Sequence, residues 1–171
     1  MNHYVTPDLC DAYPELVQVV EPMFSNFGGR DSFGGEIVTL KCFEDNSLVK
    51  AQADLPGAGK VLVVDGGGSL RKALLGDRMA ALALAHAWAG LVIHGAVRDV
   101  AALAAMPLLV LALGHVPQRG GRSGGGESGG QVSFGDIVFT AGHWLCADSD
   151  GLVILPAAPV PAKMDAVSSP Q

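Results

Sequence analysis

Three short runs of apolar residues alternate with helix-like segments in the middle of the chain, and this alternation restricts the fold more than any other feature. The runs cover residues 61–65, 91–94 and 108–113, and their length is that of buried strands. The segments between them, 78–88 and 100–105, are rich in Ala and therefore have high helix propensity, and Gly90 is predicted to end the first of these helices. This order of elements predicts an α/β fold with a mixed, partly parallel sheet flanked by helices.

Additional elements are predicted on both sides of this central unit. Residues 6–13 begin with Thr-Pro-Asp, and proline is well tolerated in the first turn of a helix. Residues 37–43 are rich in β-branched side chains and predict a strand, with tight turns at Gly28-Gly29 and Gly34-Gly35. The last third of the chain predicts four consecutive short strands at residues 132–134, 137–140, 144–147 and 152–155.

A glycine-rich segment separates the two groups of strands. Seven of the eleven residues 120–130 are glycine, a composition that favours a flexible crossing loop over regular structure. Beyond Pro156 the chain is rich in Ala and Pro, which indicates a flexible tail. We therefore expect a single domain over residues 1–171, with its core at about 6–155 and the tail at 156–171.

Composition and charge exclude several classes of protein. Nearly half of the 171 residues are apolar, which excludes a disordered chain, and no apolar run has the roughly 18 residues of a membrane span. The net charge of −6 argues against direct nucleic-acid binding. The first residues lack the basic and apolar regions of a secretory signal, so we expect a cytoplasmic protein. In that compartment Cys10, Cys42 and Cys146 are expected to be reduced and structural.

Two loops that follow apolar strands contain glycine and an acid. The loop Asp65-Gly-Gly-Gly-Ser69 has backbone amides that can face an anion, but it matches neither a Walker motif nor a dinucleotide fingerprint, so a tight turn is the simpler interpretation. In Leu75-Gly-Asp77, Asp77 can cap the next helix, while the amides of residues 76–79 remain free for a carboxylate. An ordinary helix cap is the alternative.

The segment Gly95-Ala-Val-Arg98-Asp99 is predicted as a third loop at a strand end. The planar guanidinium of Arg98 suits a substrate carboxylate, and Asp99 suits a hard metal ion. A surface ion pair is the alternative interpretation of the same two residues. Neither His86 nor His94 has a second ligand at metal-site spacing, so both are interpreted as structural, and Ser69 and Ser123 lack the motif of a serine hydrolase.

Taken together, several segments resemble the RraA-like family, which includes regulators of ribonuclease E and 4-hydroxy-4-methyl-2-oxoglutarate aldolases. The resemblance rests on residues 6–13 (TPDLCDAY), 20–30 (VEPMFSNFGGR), 41–46 (KCFEDN), 61–69 (VLVVDGGGS) and 90–98 (GLVIHGAVR). It implies a layered sandwich that resembles the phosphohistidine swivelling domain, assembled as a homotrimer with sites at the subunit interfaces.

The resemblance also implies an active site. In the aldolase branch a glycine is separated from Arg-Asp by about twenty-one residues, and Gly76 with Arg98-Asp99 fits this spacing. By position, the backbone amides of one loop would hold the substrate's pyruvoyl carboxylate: Gly76, Asp77, Arg78 and Met79. Arg98 would bind the same substrate, and Asp99 would bind Mg²⁺ or Mn²⁺. Family members recruit further acids from a neighbouring subunit, and Glu36 is a possible contributor of this kind, but no motif assigns it.

The implied chemistry is metal-dependent cleavage of a carbon–carbon bond in a 2-oxoacid. The expected substrates are 4-hydroxy-4-methyl-2-oxoglutarate and 4-carboxy-4-hydroxy-2-oxoadipate. Oxaloacetate decarboxylation is an expected side activity, because the same metal ion would accept the negative charge that appears in both reactions. The alternative is a protein inhibitor that binds a basic region of ribonuclease E and modulates RNA turnover. In that case Arg98 and Asp99 would be retained as a structural ion pair.

Overall fold

The computed structural model describes residues 4–160, in which a mixed sheet of ten strands is flanked by helices. The four helices are α1 (Thr6–Ala12), α2 (Ser47–Ala53), α3 (Asp77–Ala85) and α4 (Val100–Ala104). The twelve strands are β1 (Gln18–Val19), β2 (Ser25–Asn26), β3 (Phe33–Lys41), β4 (Lys60–Asp65), β5 (Ala73–Leu75), β6 (Gly90–Val97), β7 (Leu109–His115), β8 (Glu127–Ser128), β9 (Gln131–Phe134), β10 (Ile137–Thr140), β11 (Trp144–Ala147) and β12 (Leu152–Leu155).

Four parallel strands form the centre of the large sheet. Its order is β1-β12-β11-β3-β4-β6-β7-β2, and the pairs β3–β4, β4–β6 and β6–β7 are parallel. Five of the six residues of β4 are buried, as expected for a parallel strand that is covered on both faces. The mixed, partly parallel α/β fold predicted from the sequence is confirmed.

Separate apolar clusters cover the two faces of the sheet. One cluster joins Leu62 and Leu91 in the sheet to Val49 of α2, Ala80 of α3 and Leu103 of α4. On the other face the β9–β10 hairpin contributes Val132, Phe134 and Phe139, which is fully buried. A smaller cluster packs Leu9 of α1 against β11 and β12. Within residues 4–160, no helix has the length and apolarity that crossing a membrane requires.

Two boundaries predicted from glycines are wrong. Gly34 and Gly35 lie inside β3 and form no turn. Residue 34 is glycine because the Tyr4 ring packs against it: a Cβ there would lie 2.5 Å from that ring. Gly90 begins β6 and does not end α3, which stops earlier, before Ala87 takes a left-handed conformation with φ 65°. Here close packing, and not chain reversal, explains the glycines.

Strand β6 is longer than the sequence predicted. It continues through Val97, so the expected loop at residues 95–99 is reduced to Arg98 and Asp99. The register of β6 with β7 shifts between Ile93 and Ala96, and this irregularity lies in the region where the apolar pattern ended. Because β6 extends through Val97, Arg98 and Asp99 directly follow the end of a strand.

The glycine-rich segment 120–130 has regular contacts. Glu127 and Ser128 form β8, which pairs with β3, and the amides of Gly120 and Gly121 donate hydrogen bonds to the carbonyls of Ala73 and Glu44. The prediction of a loop without regular structure is therefore wrong in part. The predicted tail is described only to residue 160, so the interpretation of residues 161–171 lies outside the described part of the chain.

The imidazole of His94 differs from the structural histidine expected from the sequence. It stacks on Phe134 with ring centroids 4.5 Å apart, and its buried Nδ1 has no hydrogen-bond partner within residues 4–160. The nearest carboxylate oxygen, on Asp65, is 4.0 Å away. Burial lowers the pKa of His94, against the opposing effect of the Asp65 charge.

We expect His94 to make the fold sensitive to mild acid. Its pKa is lower in the folded chain than in the unfolded chain, so its stabilising contribution is complete above the unfolded value of roughly 6.5 and is lost as the pH falls below it. Urea midpoints at pH 7.5 and 5.5 should therefore converge in His94→Phe. The exposed His115→Gln serves as the control, and equal pH sensitivity of wild type and His94→Phe would contradict the prediction.

Candidate active site

Strand β5 brings together the residues that the sequence placed in one site. Ala73 and Leu75 pair with Ala96 and Val97 of β6, and the amide of Arg98 donates a hydrogen bond to the carbonyl of Leu75 at 2.9 Å. Gly76, the residue after β5, therefore lies against the residues that follow β6. Two segments separated by about twenty residues become neighbours because their strands pair.

Contact with Asp99 and Arg98 explains why residue 76 is glycine. A Cβ on Gly76 would lie 2.6 Å from Oδ2 of Asp99 and 3.3 Å from Nε of Arg98. Its backbone is extended, with φ −134°, so the requirement is one of space and not of conformation. The Gly and Arg-Asp spacing of the sequence thus reflects a direct steric contact.

Asp99 connects the two helices beside the site. Its carboxylate Oδ2 accepts a hydrogen bond from the amide of Asp77 at 3.0 Å, at the start of α3, while its own backbone precedes α4. The backbone of Asp99 is left-handed, with φ 58° and ψ 43°, a conformation that costs an L-residue about 1 kcal/mol and that Asp tolerates better than most. Nε of Arg98 lies 3.9 Å from the same oxygen.

The first turn of α3 differs from the sequence-based expectation. Gly76, and not Asp77, is the N-cap residue, and two of the amides expected to be free for a ligand already donate to protein carboxylates. The amide of Asp77 donates to Asp99, and the amide of Arg78 donates to Oδ1 of Asp77 at 2.7 Å. A ligand at this helix end would therefore use the remaining amides or displace these contacts.

All predicted site residues line one cavity of about 630 Å³. Gly76, Asp77, Arg78, Met79, Arg98 and Asp99 contribute to it. The sequence analysis missed three further basic side chains in the wall, those of Lys50, Arg119 and Arg122. They come from α2 and from the segment after β7, and no sequence signal linked them to the site because neither α2 nor β5 was predicted. Five basic and two acidic side chains line this cavity in a chain of net charge −6.

The donor atoms suit a cation that retains most of its water. No cluster of three or more His, Cys, Asp or Glu side chains with metal-site geometry occurs in the described part of the chain. Asp99 offers a carboxylate beside the cavity, and Mg²⁺ is commonly held by one or two carboxylates, water and substrate oxygens. Asp99 therefore fits such an ion as a single protein ligand, and Glu36 is not among the residues that line the cavity.

The loop at residues 65–69 is held by hydrogen bonds within the chain. Gly66 and Gly68 donate their amides to the carbonyl of His94, and Gly67 donates to Asp65, as in a tight turn. The hydroxyl of Ser69 donates to Glu44 at 2.7 Å, so it faces a carboxylate and not a histidine base. These contacts support the structural interpretation of this loop.

Comparison with known proteins agrees with this geometry. Residues 6–154 match the family described as RraA-like, Aldolase/RraA. The chain belongs to the RraA-like family. It is 62% identical over 164 residues to a protein of Pseudomonas fluorescens strain SBW25 that is provisionally named a 4-hydroxy-4-methyl-2-oxoglutarate aldolase; the match covers 96% of this chain and 99% of that protein.

Solved structures of the RraA-like family share the fold. The RNA-processing inhibitor RraA from Thermus thermophilis has a TM-score of 0.90 and 44% identity, over 94% of this chain and 97% of that one. A Geobacillus kaustophilus protein described as S-adenosylmethionine:2-dimethylmenaquinone methyltransferase has a TM-score of 0.89 and 41% identity, over 91% and 96% of the two chains. Proteins described by different functions thus share one architecture.

Substitution of Gly76 by alanine should disable the site and leave the fold intact. The added methyl group must displace Asp99 or Arg98, and a misplacement of about 1 Å in a catalytic constellation can reduce turnover roughly a hundredfold. Pyruvate release from 4-hydroxy-4-methyl-2-oxoglutarate, the substrate in the name of the relative at 62% identity, reports the effect. Gly114→Ala is the matched control, because a Cβ there meets only Leu70 at 3.5 Å. Wild-type activity in Gly76→Ala would contradict the steric explanation.

Proposed function

We propose that the protein is a divalent-metal-dependent aldolase that releases pyruvate from 4-hydroxy-4-methyl-2-oxoglutarate and 4-carboxy-4-hydroxy-2-oxoadipate. Oxaloacetate decarboxylation is the proposed side activity. The observation that carries the proposal is the convergence of Gly76, Arg98 and Asp99 on one basic cavity beside the start of α3. The provisional aldolase name of a relative at 62% identity supports the same reaction class.

Arg98 is the proposed ligand of the substrate's pyruvoyl carboxylate. A guanidinium can form two parallel charge-assisted hydrogen bonds with a carboxylate, which fixes both its position and its plane. The main chain of Arg98 is held by the hydrogen bond to Leu75, so its side chain starts from a fixed point at the edge of the cavity. Binding the carboxylate there would orient the C3–C4 bond of the substrate for cleavage.

Asp99 is the proposed ligand of Mg²⁺ or Mn²⁺. A divalent cation bound there would stabilise the negative charge that appears when the bond between C3 and C4 breaks. The hydrogen bond from the amide of Asp77 leaves the second carboxylate oxygen available to face the cavity. The protein thus fixes the carboxylate from one side through the end of a helix.

Both reactions break the C3–C4 bond and leave its electron pair on C3, and only the retro-aldol reaction requires a base to remove a proton. In the retro-aldol reaction a base removes the proton of the C4 hydroxyl, C4 becomes a carbonyl carbon, and the electron pair of the C3–C4 bond remains on C3. Protonation of C3 then gives pyruvate. Oxaloacetate loses its C4 carboxylate as carbon dioxide with the same electron flow.

A homotrimer with sites at subunit interfaces is proposed, since a neighbouring subunit can supply the base.

An interaction with ribonuclease E is the second candidate function. It is favoured by the likeness to the RNA-processing inhibitor from Thermus thermophilis and by an acidic groove on this chain. The groove has an apolar floor that includes Leu109 and Leu111, and it is lined by the carboxylates of Glu21, Asp31, Asp148 and Asp150. Such a surface suits a basic protein segment. The groove residues differ from those of the basic cavity, so one protein can have both functions.

Replacement of Asp99 by asparagine should separate catalysis from folding. Asparagine retains an acceptor for the amide of Asp77 and tolerates the left-handed backbone, but it lacks the negative charge that a cation requires. We expect metal-dependent pyruvate release from 4-hydroxy-4-methyl-2-oxoglutarate and oxaloacetate to fall by about a hundredfold or more. The melting temperature should change by no more than about 2 °C.

The assay requires three comparisons. Rates are measured with Mg²⁺, with chelator, and against the background of free Mg²⁺. The matched control is Asp136→Asn, because Asp136 is exposed, has a left-handed backbone like that of Asp99 and lines neither the cavity nor the groove. Undiminished turnover in Asp99→Asn would exclude the proposed role of Asp99. Absence of turnover in the folded wild type would favour ribonuclease binding, which Asp99→Asn should leave unchanged.

A further inference from the structure

Two apolar side chains of α3 lie in the wall of the basic cavity and have no role in the proposed reaction. Met79 and Leu82 are three residues apart, so they lie on the same face of the helix. Both are half-buried and pack against the apolar cluster that α3 shares with the sheet. Apart from these two residues and the buried Ala73 and Leu75 of β5, the side chains in the wall are polar or charged.

This part of the wall suits an alkyl group and not a charged one. Helix α3 has no charged residue after Arg78, so its second turn offers no ionic partner to a ligand. Each CH₂ or CH₃ group that is removed from water strengthens binding by about fourfold. A carboxylate that loses its water against aliphatic side chains gains no hydrogen bond there, and its binding is weakened. An apolar ligand group is therefore the one that Met79 and Leu82 favour.

The position of Leu82 along α3 agrees with the position of C4 in the proposed substrates. Leu82 is three residues after Met79, the last residue whose amide is assigned to the pyruvoyl carboxylate, and this corresponds to roughly 4.5 Å along the helix axis. Three bonds separate C1 from C4 in a 2-oxoacid, and in an extended chain they span roughly 3.8 Å, as between Cα atoms across a trans peptide. Helical side chains lean toward the N-terminus of their helix, which brings the side chain of Leu82 closer to this point.

We propose that Met79 and Leu82 form an apolar subsite for the substituent at C4 of the substrate, and that this subsite selects a methyl group over a carboxymethyl group. The inference rests on the proposed function and extends it to the choice between the two proposed substrates. 4-Hydroxy-4-methyl-2-oxoglutarate and 4-carboxy-4-hydroxy-2-oxoadipate share the pyruvoyl group, the C4 hydroxyl and a carboxylate on C4. They differ only in this substituent, so their relative rates report on the subsite.

The binding test uses two stable ligands that differ by one methyl group. Affinities of the full chain for 2-oxoglutarate and for 4-methyl-2-oxoglutarate are measured by calorimetry with Mg²⁺ present. Neither ligand has the C4 hydroxyl that retro-aldol cleavage requires, so neither is consumed. We expect the wild type to bind the methylated ligand about fourfold more tightly than 2-oxoglutarate.

Polar side chains of similar size test the two residues. In Met79→Gln and in Leu82→Asn, we expect the preference for the methylated ligand to fall below about twofold, because the subsite loses its apolar character. Leu84→Asn is the matched control: Leu84 is another half-buried residue of α3, but it does not line the basic cavity. Leu82→Met keeps an apolar side chain of similar volume. Both Leu84→Asn and Leu82→Met should retain the wild-type preference.

The kinetic test compares the two proposed substrates in the same variants. In the wild type we expect kcat/KM for 4-hydroxy-4-methyl-2-oxoglutarate to exceed kcat/KM for 4-carboxy-4-hydroxy-2-oxoadipate. Met79→Gln and Leu82→Asn should reduce this ratio by about fivefold or more, since a polar side chain disfavours the methyl group and can donate a hydrogen bond to the carboxymethyl group. A general loss of structure would instead lower both rates together and lower the melting temperature.

Several results would overturn the inference. They are a wild type that binds the methylated ligand no more tightly than 2-oxoglutarate, an equal loss of preference in Leu84→Asn, or polar variants at residues 79 and 82 that weaken both ligands by the same factor. A methyl preference in a wild type without aldolase turnover would refute the proposed reaction and retain the subsite. Turnover with an unaltered substrate ratio in Met79→Gln and Leu82→Asn would refute the subsite and retain the reaction.

Discussion

The hydrogen bonds on both edges of β5 are the interaction on which the candidate site depends. This strand has only three residues, and its backbone is bonded to β6 on one side and to the segment at residues 118–120 on the other. Because all three of its residues are buried, leaving its amides and carbonyls unpaired would be costly, so both neighbours are needed. Pairing of β5 places Gly76, Arg98 and Arg119 around a single cavity.

Asp99 combines a strained backbone with a position at the candidate site. A left-handed aspartate at the start of α4 costs conformational energy, and the same conformation directs its carboxylate toward the first turn of α3. The absence of a Cβ on Gly76 gives that carboxylate its space. A structural ion pair with Arg98 would not require this arrangement, since the 3.9 Å contact between two half-exposed groups contributes little stability.

The distribution of charge separates two surfaces of the protein. The overall negative charge is consistent with the acidic groove near β12. Positive charge is concentrated in the basic cavity, which is lined by a different set of residues. The basic side chains of the cavity suit small oxyacids, and the carboxylates of the groove suit basic protein segments. This separation gives a physical reason why relatives described as an aldolase and as an RNA-processing inhibitor can share one fold.

The sequence by itself determined the parallel core and the last four strands, which depend on continuous apolar runs and turn residues. The link between Gly76, Arg98 and Asp99 came from the resemblance to a family and not from a local pattern. The sequence did not reveal β5, the full length of β6, or the presence of Arg119 and Arg122 in the wall of the cavity. Strand β5 is too short to show a period, and the arginines reach the cavity only when their segment pairs with it. Only the tertiary structure decided which residues line the cavity. Long-range strand pairing brings together residues that no local sequence pattern connects.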